Sequence, residues 1–91
     1  MKYDVIFTAL ANDDFYKIID FISIDSPQDA LIFVGKLQSR IKNNLSVLPF
    51  SGVRYQNEIR YFIYDNYVVV YEPIEKEKQV LVYHISQASK Q

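Results

Sequence analysis

Arg60 stands inside the segment IRYFIY, where its neighbours are all apolar or aromatic. A guanidinium in such surroundings either keeps its planar fork in water or is given acceptors, because burying it unpaired costs several kcal/mol. Arg60 is therefore a candidate for contact with a target, or for contact with a carboxylate or backbone carbonyl of its own chain. Arg54, just after Gly52, is a second candidate binding cation, with a solvated loop charge as its plainer reading. His84 is the single histidine and the first choice for general acid–base work, yet Val82, Tyr83 and Ile85 around it favour a structural imidazole. Tyr71 and Tyr83 read as residues of the core margin that a nuclease site would also use. The chain has no Cys, and no Ser or second His of evident pairing gives a nucleophilic triad a basis. One His without Cys cannot build a zinc site of the usual kind, so neither metal nor cofactor is expected.

The elements that must position these residues follow from pattern. Ninety-one residues with 49% apolar and 15% aromatic content make one folding domain, 1–91, rather than a disordered chain. Ten Lys and Arg against eleven Asp and Glu leave a net charge of −1, which gives no general pull toward nucleic acid. No window approaches the roughly 18 apolar residues of a membrane span, and the N-terminal apolar run is too short for a signal peptide. A cytoplasmic location without membrane partners is the expectation.

YDVIFT, residues 3–8, is β-branched and aromatic and reads as a strand. Thr8 can cap a helix over Ala9 to Ile24, with Phe15, Ile18, Ile19 and Ile22 on one face. Pro27 cannot continue that helix but suits the first position of another, with Ser26 as N-cap and Asp29 where a capping box places its acid. Ala30, Val34, Leu37, Ile41, Leu45 and Leu48 then draw one apolar stripe, so the two helices form an antiparallel hairpin. After the Pro49 to Gly52 break, residues 58–64 and 67–73 read as strands joined by Asp65-Asn66, a pair that tolerates the positive φ of a tight turn. EKEK is a polar loop, and 79–86 is a last strand.

The predicted architecture is α+β: an N-terminal strand, a helical hairpin, then a three-stranded meander, giving a four-stranded antiparallel sheet with both helices on one face. Counted this way, the first strand lies antiparallel to its neighbour at either edge of the meander. Ile59, Tyr61 and Ile63 are expected to face the helices, which would leave Arg60 on the outer face. Both faces carry Tyr, Phe and Val, unlike a half-covered sheet with a wet side. Either Tyr completes the margin of a small core or another protein covers the open face.

The order DDFYKIIDFI, SPQDALIFVGKL, LPFSG, EIRYF and YVVVYEP resembles the RelE/ParE superfamily of toxins from bacterial type II toxin-antitoxin modules, over about residues 3–86. The resemblance implies the fold derived above and a cognate antitoxin protein that wraps the toxin. Two mechanisms occur in that superfamily. A RelE-like chain cuts mRNA in the ribosome, which calls for cations on phosphates and an acid or base for the 2′-hydroxyl. A ParE-like chain binds DNA gyrase and needs no catalytic group. The positions that carry cations in the ribosome-dependent nucleases align with Ile59, Tyr61 and Val68, and Lys90 alone falls near the place of an essential Arg. ParE-like chains commonly end their last strand His-Gly-Arg-Arg, whereas here Ile85, Ser86 and Gln87 follow His84. The ParE-like reading leads, with Arg60 and Arg54 as target-binding candidates. In a nuclease the candidates would be Arg60, His84 and Lys90, with ribosome and mRNA as partners. A third reading is an inactive member that only binds antitoxin.

Overall fold

Thr8 ends one element and starts the next. Its hydroxyl accepts the Ala11 N–H at 3.3 Å and donates to the Val82 carbonyl at 3.0 Å, so the junction of β1 (Asp4–Phe7) with α1 (Ala9–Ser23) is fastened to the last strand. In this computed structural model, which describes residues 2–88, α2 (Pro27–Val47) follows after a three-residue turn. Ser26 caps α2 by accepting the Asp29 N–H at 3.3 Å. The reciprocal half of the capping box is not formed, because the Ser26 N–H is donated to the Ile22 carbonyl at 3.1 Å. Ala30, Val34, Leu37, Ile41 and Leu45 are buried as the spacing requires, while Leu48, one residue past the helix end, is exposed.

The sheet has five strands, in the order β1-β5-β4-β3-β2. β2 (Val53–Gln56) is the element the sequence reading missed, and it pairs antiparallel with β3 (Ile59–Tyr64). Adding one strand reverses every later direction. β3, β4 (Tyr67–Ile74) and β5 (Gln79–Gln87) remain an antiparallel meander, but β5 now runs with β1, and the two pair in parallel from Asp4↔Gln79 to Phe7↔Val82. The expected all-antiparallel, four-stranded sheet is thus corrected to a five-stranded mixed one. The β3–β4 turn is as expected, with Asp65 and Asn66 both at positive φ (50° and 71°).

Register also corrects the orientation of β3. Arg60, Phe62 and Tyr64 stand opposite Tyr71, Val69 and Tyr67, all three of which are buried beneath the helices. Ile59, Tyr61 and Ile63 therefore face outward, and Ile63 is 59% exposed. The core joins Ala11, Phe15 and Ile18 of α1 and the α2 stripe to Val69, Tyr71, Val80, Val82 and Ile85. Because Phe62 and Tyr64 pack against this cluster, Arg60 shares the helix-side face and must find acceptors there.

Candidate functional site

Arg60 finds those acceptors in the loop that follows α2. Its Nη1 donates to the carbonyls of Phe50 (3.2 Å) and Gly52 (3.0 Å), and its guanidinium carbon lies 5.4 Å from the centre of the Phe50 ring. Its Nε is buried without a hydrogen-bond partner. The same loop is held from the core, where the Gly52 N–H donates to the Tyr71 hydroxyl at 2.8 Å. Burial pushes the Tyr71 phenol up, and the Gly52 N–H, Arg60 and Ser51 each oppose that shift. A Cβ at Gly52 would stand 2.5 Å from that hydroxyl and 2.7 Å from the Tyr61 carbonyl, so only glycine fits. Arg60 is thus a clamp on the segment entering β2.

Arg54 is the register partner of Arg60 and lies on the same face. It points elsewhere: Nε donates to the Asn57 carbonyl at 2.9 Å and Nη2 pairs with Glu58 at 3.0 Å, both side chains well exposed. Such a pair contributes little stability, about 0 to 1 kcal/mol. His84 lies two strands away from Arg60, with β4 between them. Its Nδ1 is 3.0 Å from the Asp14 carboxylate, which also accepts the Ile85 N–H at 2.9 Å. Asp14 thereby satisfies a backbone donor of β5 where β1 has already ended. The structure does not gather Arg60, Arg54 and His84 into one site, and Lys90 lies outside the described residues.

Two pairings were not foreseen from sequence. Asp14 had no distinguishing signal, being one of several acids on the polar flank of α1, whereas Gly52 carried one, as one of only two glycines. On the outer face the Tyr83 hydroxyl donates to Glu72 Oε1 at 2.7 Å. That bond, with burial and the carboxylate charge, pushes the Tyr83 phenol up to about 12. Among the described residues no group of His, Cys, Asp and Glu is placed to hold a metal ion.

Two grooves flank α1. One, of about 200 Å³, runs between α1 and α2 past Tyr16, Leu31 and Gly35. The other, of about 480 Å³, lies between α1 and the end of β5 and is lined by Asp14, Phe21, Tyr67 and Ile85 among others. Leu31 and Ile32 on α2 and Tyr16 and Phe21 on α1 are exposed, so the outer side of the hairpin carries apolar residues among charged ones such as Lys17 and Lys36.

This arrangement of helical hairpin on a mixed sheet has known counterparts. Residues 5–91 match the family model described as ParE toxin of type II toxin-antitoxin system, parDE. The chain belongs to the ParE toxin family. Among solved structures, the chromosomal ParDE system of P. aeruginosa superposes with a TM-score of 0.80 at 16% identity, covering 97% of this chain and 98% of that one. The isolated E. coli RelE toxin gives 0.67 at 16% identity, over 98% and 87% of the two chains. The RelBE2 toxin-antitoxin complex of Mycobacterium tuberculosis gives 0.66 at 17% identity, over 96% and 99%. No curated protein sequence matches the chain. It is a toxin of a type II toxin-antitoxin system with the fold common to ParE and RelE proteins. Among its described residues, no helix of this ParE family member is long and apolar enough to cross a membrane.

Proposed function

We propose that this ParE-family chain arrests growth by binding a protein target and that a cognate antitoxin neutralises it. The observation that carries this reading is the commitment of the strand arginines within the chain. Arg60 serves the carbonyls of Phe50 and Gly52, and Arg54 serves Asn57 and Glu58. RNA cleavage asks for cations that converge on one phosphate with an acid or base beside them. Arg60 and His84 are instead separated by β4, and His84 is engaged by Asp14. In this reading Arg60 is a positioning residue, and Arg54 stays with Asn57 and Glu58 at the sheet edge. DNA gyrase, implied by the resemblance to ParE proteins, is the first target to test.

An antitoxin partner is supported by the M. tuberculosis neighbour, which is a toxin-antitoxin complex. On this chain the exposed Tyr16, Leu31 and Ile32 of the helical hairpin offer it an apolar seat. Glycine inside a helix costs roughly 1 kcal/mol relative to alanine. Gly35 has nothing within 4 Å of where a Cβ would stand, so the notch beside Tyr16 and Leu31 is open to a partner's helix.

The test is induced expression in a bacterial host, with and without the small protein encoded beside this gene. Growth arrest, rescue by that partner, intact message on programmed ribosomes and loss of gyrase supercoiling activity are the expected results. Cleavage of message at the ribosomal A site would replace this reading with a ribosome-dependent endoribonuclease. Folded protein without growth arrest would leave a member that only binds antitoxin.

A further inference from the structure

Charge is divided between the two sides of the sheet. The five strands contain two cations, Arg54 and Arg60, and two carboxylates, Asp4 and Glu72. Register places both arginines on the helix side, in line with buried Tyr71. It places Glu72 in line with Leu81 and Ile6, and Asp4 in line with Gln79 and Ile74, which is the outer side. That side carries a run of apolar and aromatic residues, Val53, Tyr61, Ile63, Val68 and Val70, across β2, β3 and β4, beside the uncharged polar Gln56, Gln79 and Ser86. His84, opposite Val70 in register, is turned to Asp14 at the margin.

The geometry points to this open face as the seat of the target: a protein segment that presents apolar side chains together with a Lys or Arg directed at Glu72. The inference rests on the protein-binding reading above and adds where the partner sits and what it carries. Glu72 lies on the central strand and is half-buried, and among the described residues no Lys or Arg pairs with it. Its Oε1 takes the Tyr83 hydroxyl, a bond that fixes the carboxylate without neutralising it. A partly desolvated carboxylate amid apolar side chains gains most from a cation brought by whatever covers it. Among the described strand residues, a polyanion would meet two carboxylates and no Lys or Arg on this face. The hairpin side, with its own apolar groove, remains for the antitoxin.

Three variants and one probe test this. Ile63→Lys, Ile63→Glu and Glu72→Gln change exposed or half-buried outer-face residues and are expected to melt within about 3 °C of the parent. On induced expression, Ile63→Lys should abolish growth arrest, Ile63→Glu should weaken it clearly less than Ile63→Lys does, and Glu72→Gln should weaken it about tenfold. All three should keep antitoxin binding. Toxicity retained by Ile63→Lys and lost in Ile63→Glu would make the face a polyanion site and overturn the proposal. So would full toxicity of all three, or their loss of antitoxin affinity. Independently of toxicity, an amphipathic Leu/Lys helical peptide added to the purified chain should shift the amide resonances of Val68, Val70 and Leu81, and its Leu/Glu twin should not. Equal binding of both peptides, or shifts confined to α1 and α2, overturns the proposal even if growth arrest is seen. If the parent chain fails to arrest growth while the Leu/Lys peptide still binds here and loses about tenfold in Glu72→Gln, the functional reading falls and the assignment of this face stands.

Discussion

Along β4, residues Tyr67 to Ile74 alternate between buried and half-exposed, so one strand borders two different environments. On the helix side Val69 and Tyr71 have no exposed surface; on the outer side Val68 and Val70 are of the same chemical type yet only partly covered. Composition cannot separate the two faces. What separates them is what lies against each: the helix side is closed by the chain itself, with the Arg60 Nε the only buried side-chain polar atom left without a partner among the described residues, whereas the outer side has a carboxylate with no cation beside it and an apolar surface. Closed faces lose stability when altered, and open faces lose partners.

The largest effect should come from the tightest contact on the closed side. Gly52→Ala forces a methyl against the Tyr71 hydroxyl, only 2.5 Å away, and is expected to cost about 3 kcal/mol in denaturant unfolding. Adding Tyr71→Phe removes the clashing oxygen and should recover part of that loss, a coupling that two independent sites would lack.

The next comparison uses adjacent residues of β4. Val69→Ala should cost about 2 kcal/mol, through lost burial and the cavity left behind. Val68→Thr should stay within about 0.5 kcal/mol, since threonine suits a strand and the outer face is open. Equal losses at both positions would mean that the outer face is covered in solution, by a second copy for instance, and size-exclusion chromatography would then reveal the larger species.

The smallest effect is pH-dependent. The Tyr83 phenol, held protonated by Glu72, is raised from 10.0 to about 12. A group raised on folding contributes stability that is complete below its unfolded value and is lost as pH climbs through the folded one. Thermal melts should therefore decline between about pH 10 and pH 12, with Tyr83→Phe declining less. Burial raises Tyr67 and Tyr71 as well, so the variant's decline should shrink rather than vanish.

Both helices, their caps and the Asp65-Asn66 turn were legible because each rests on local rules: spacing of apolar residues, a proline at the first helical position, two residues that accept positive φ. β2 was not. Its four residues, Val53 to Gln56, are all exposed, so VRYQ carries no alternation of burial for a pattern to detect, and it is a strand only because β3 is beside it. Missing it reversed the deduced direction of β5 and so the pairing of β1. Arg60 was legible as a guanidinium in need of acceptors, but not as a clamp, because those acceptors are backbone carbonyls and carbonyls have no sequence signature. The orientation of β3 was misread for a related reason. Ile59, Tyr61 and Ile63 looked like the inward set, and only pairing with β4 reveals that Phe62 and Tyr64 accompany Arg60 against the core.

The parallel pairing of β1 with β5 ties residues 4–7 to residues 79–82, nearly the full length of the chain apart. Loop-closure entropy makes such a contact late in folding, after the local helices and hairpins have formed. Of the five strands β1 emerges first in synthesis and its sheet neighbour last, so β1, flanked by Thr8 whose acceptor is the Val82 carbonyl, has no partner to join until those residues have been made. The sheet thus closes at the seam between its first and last strands, and a chain released before Val82 lacks both the full partner of its first strand and the acceptor that fixes its first helix.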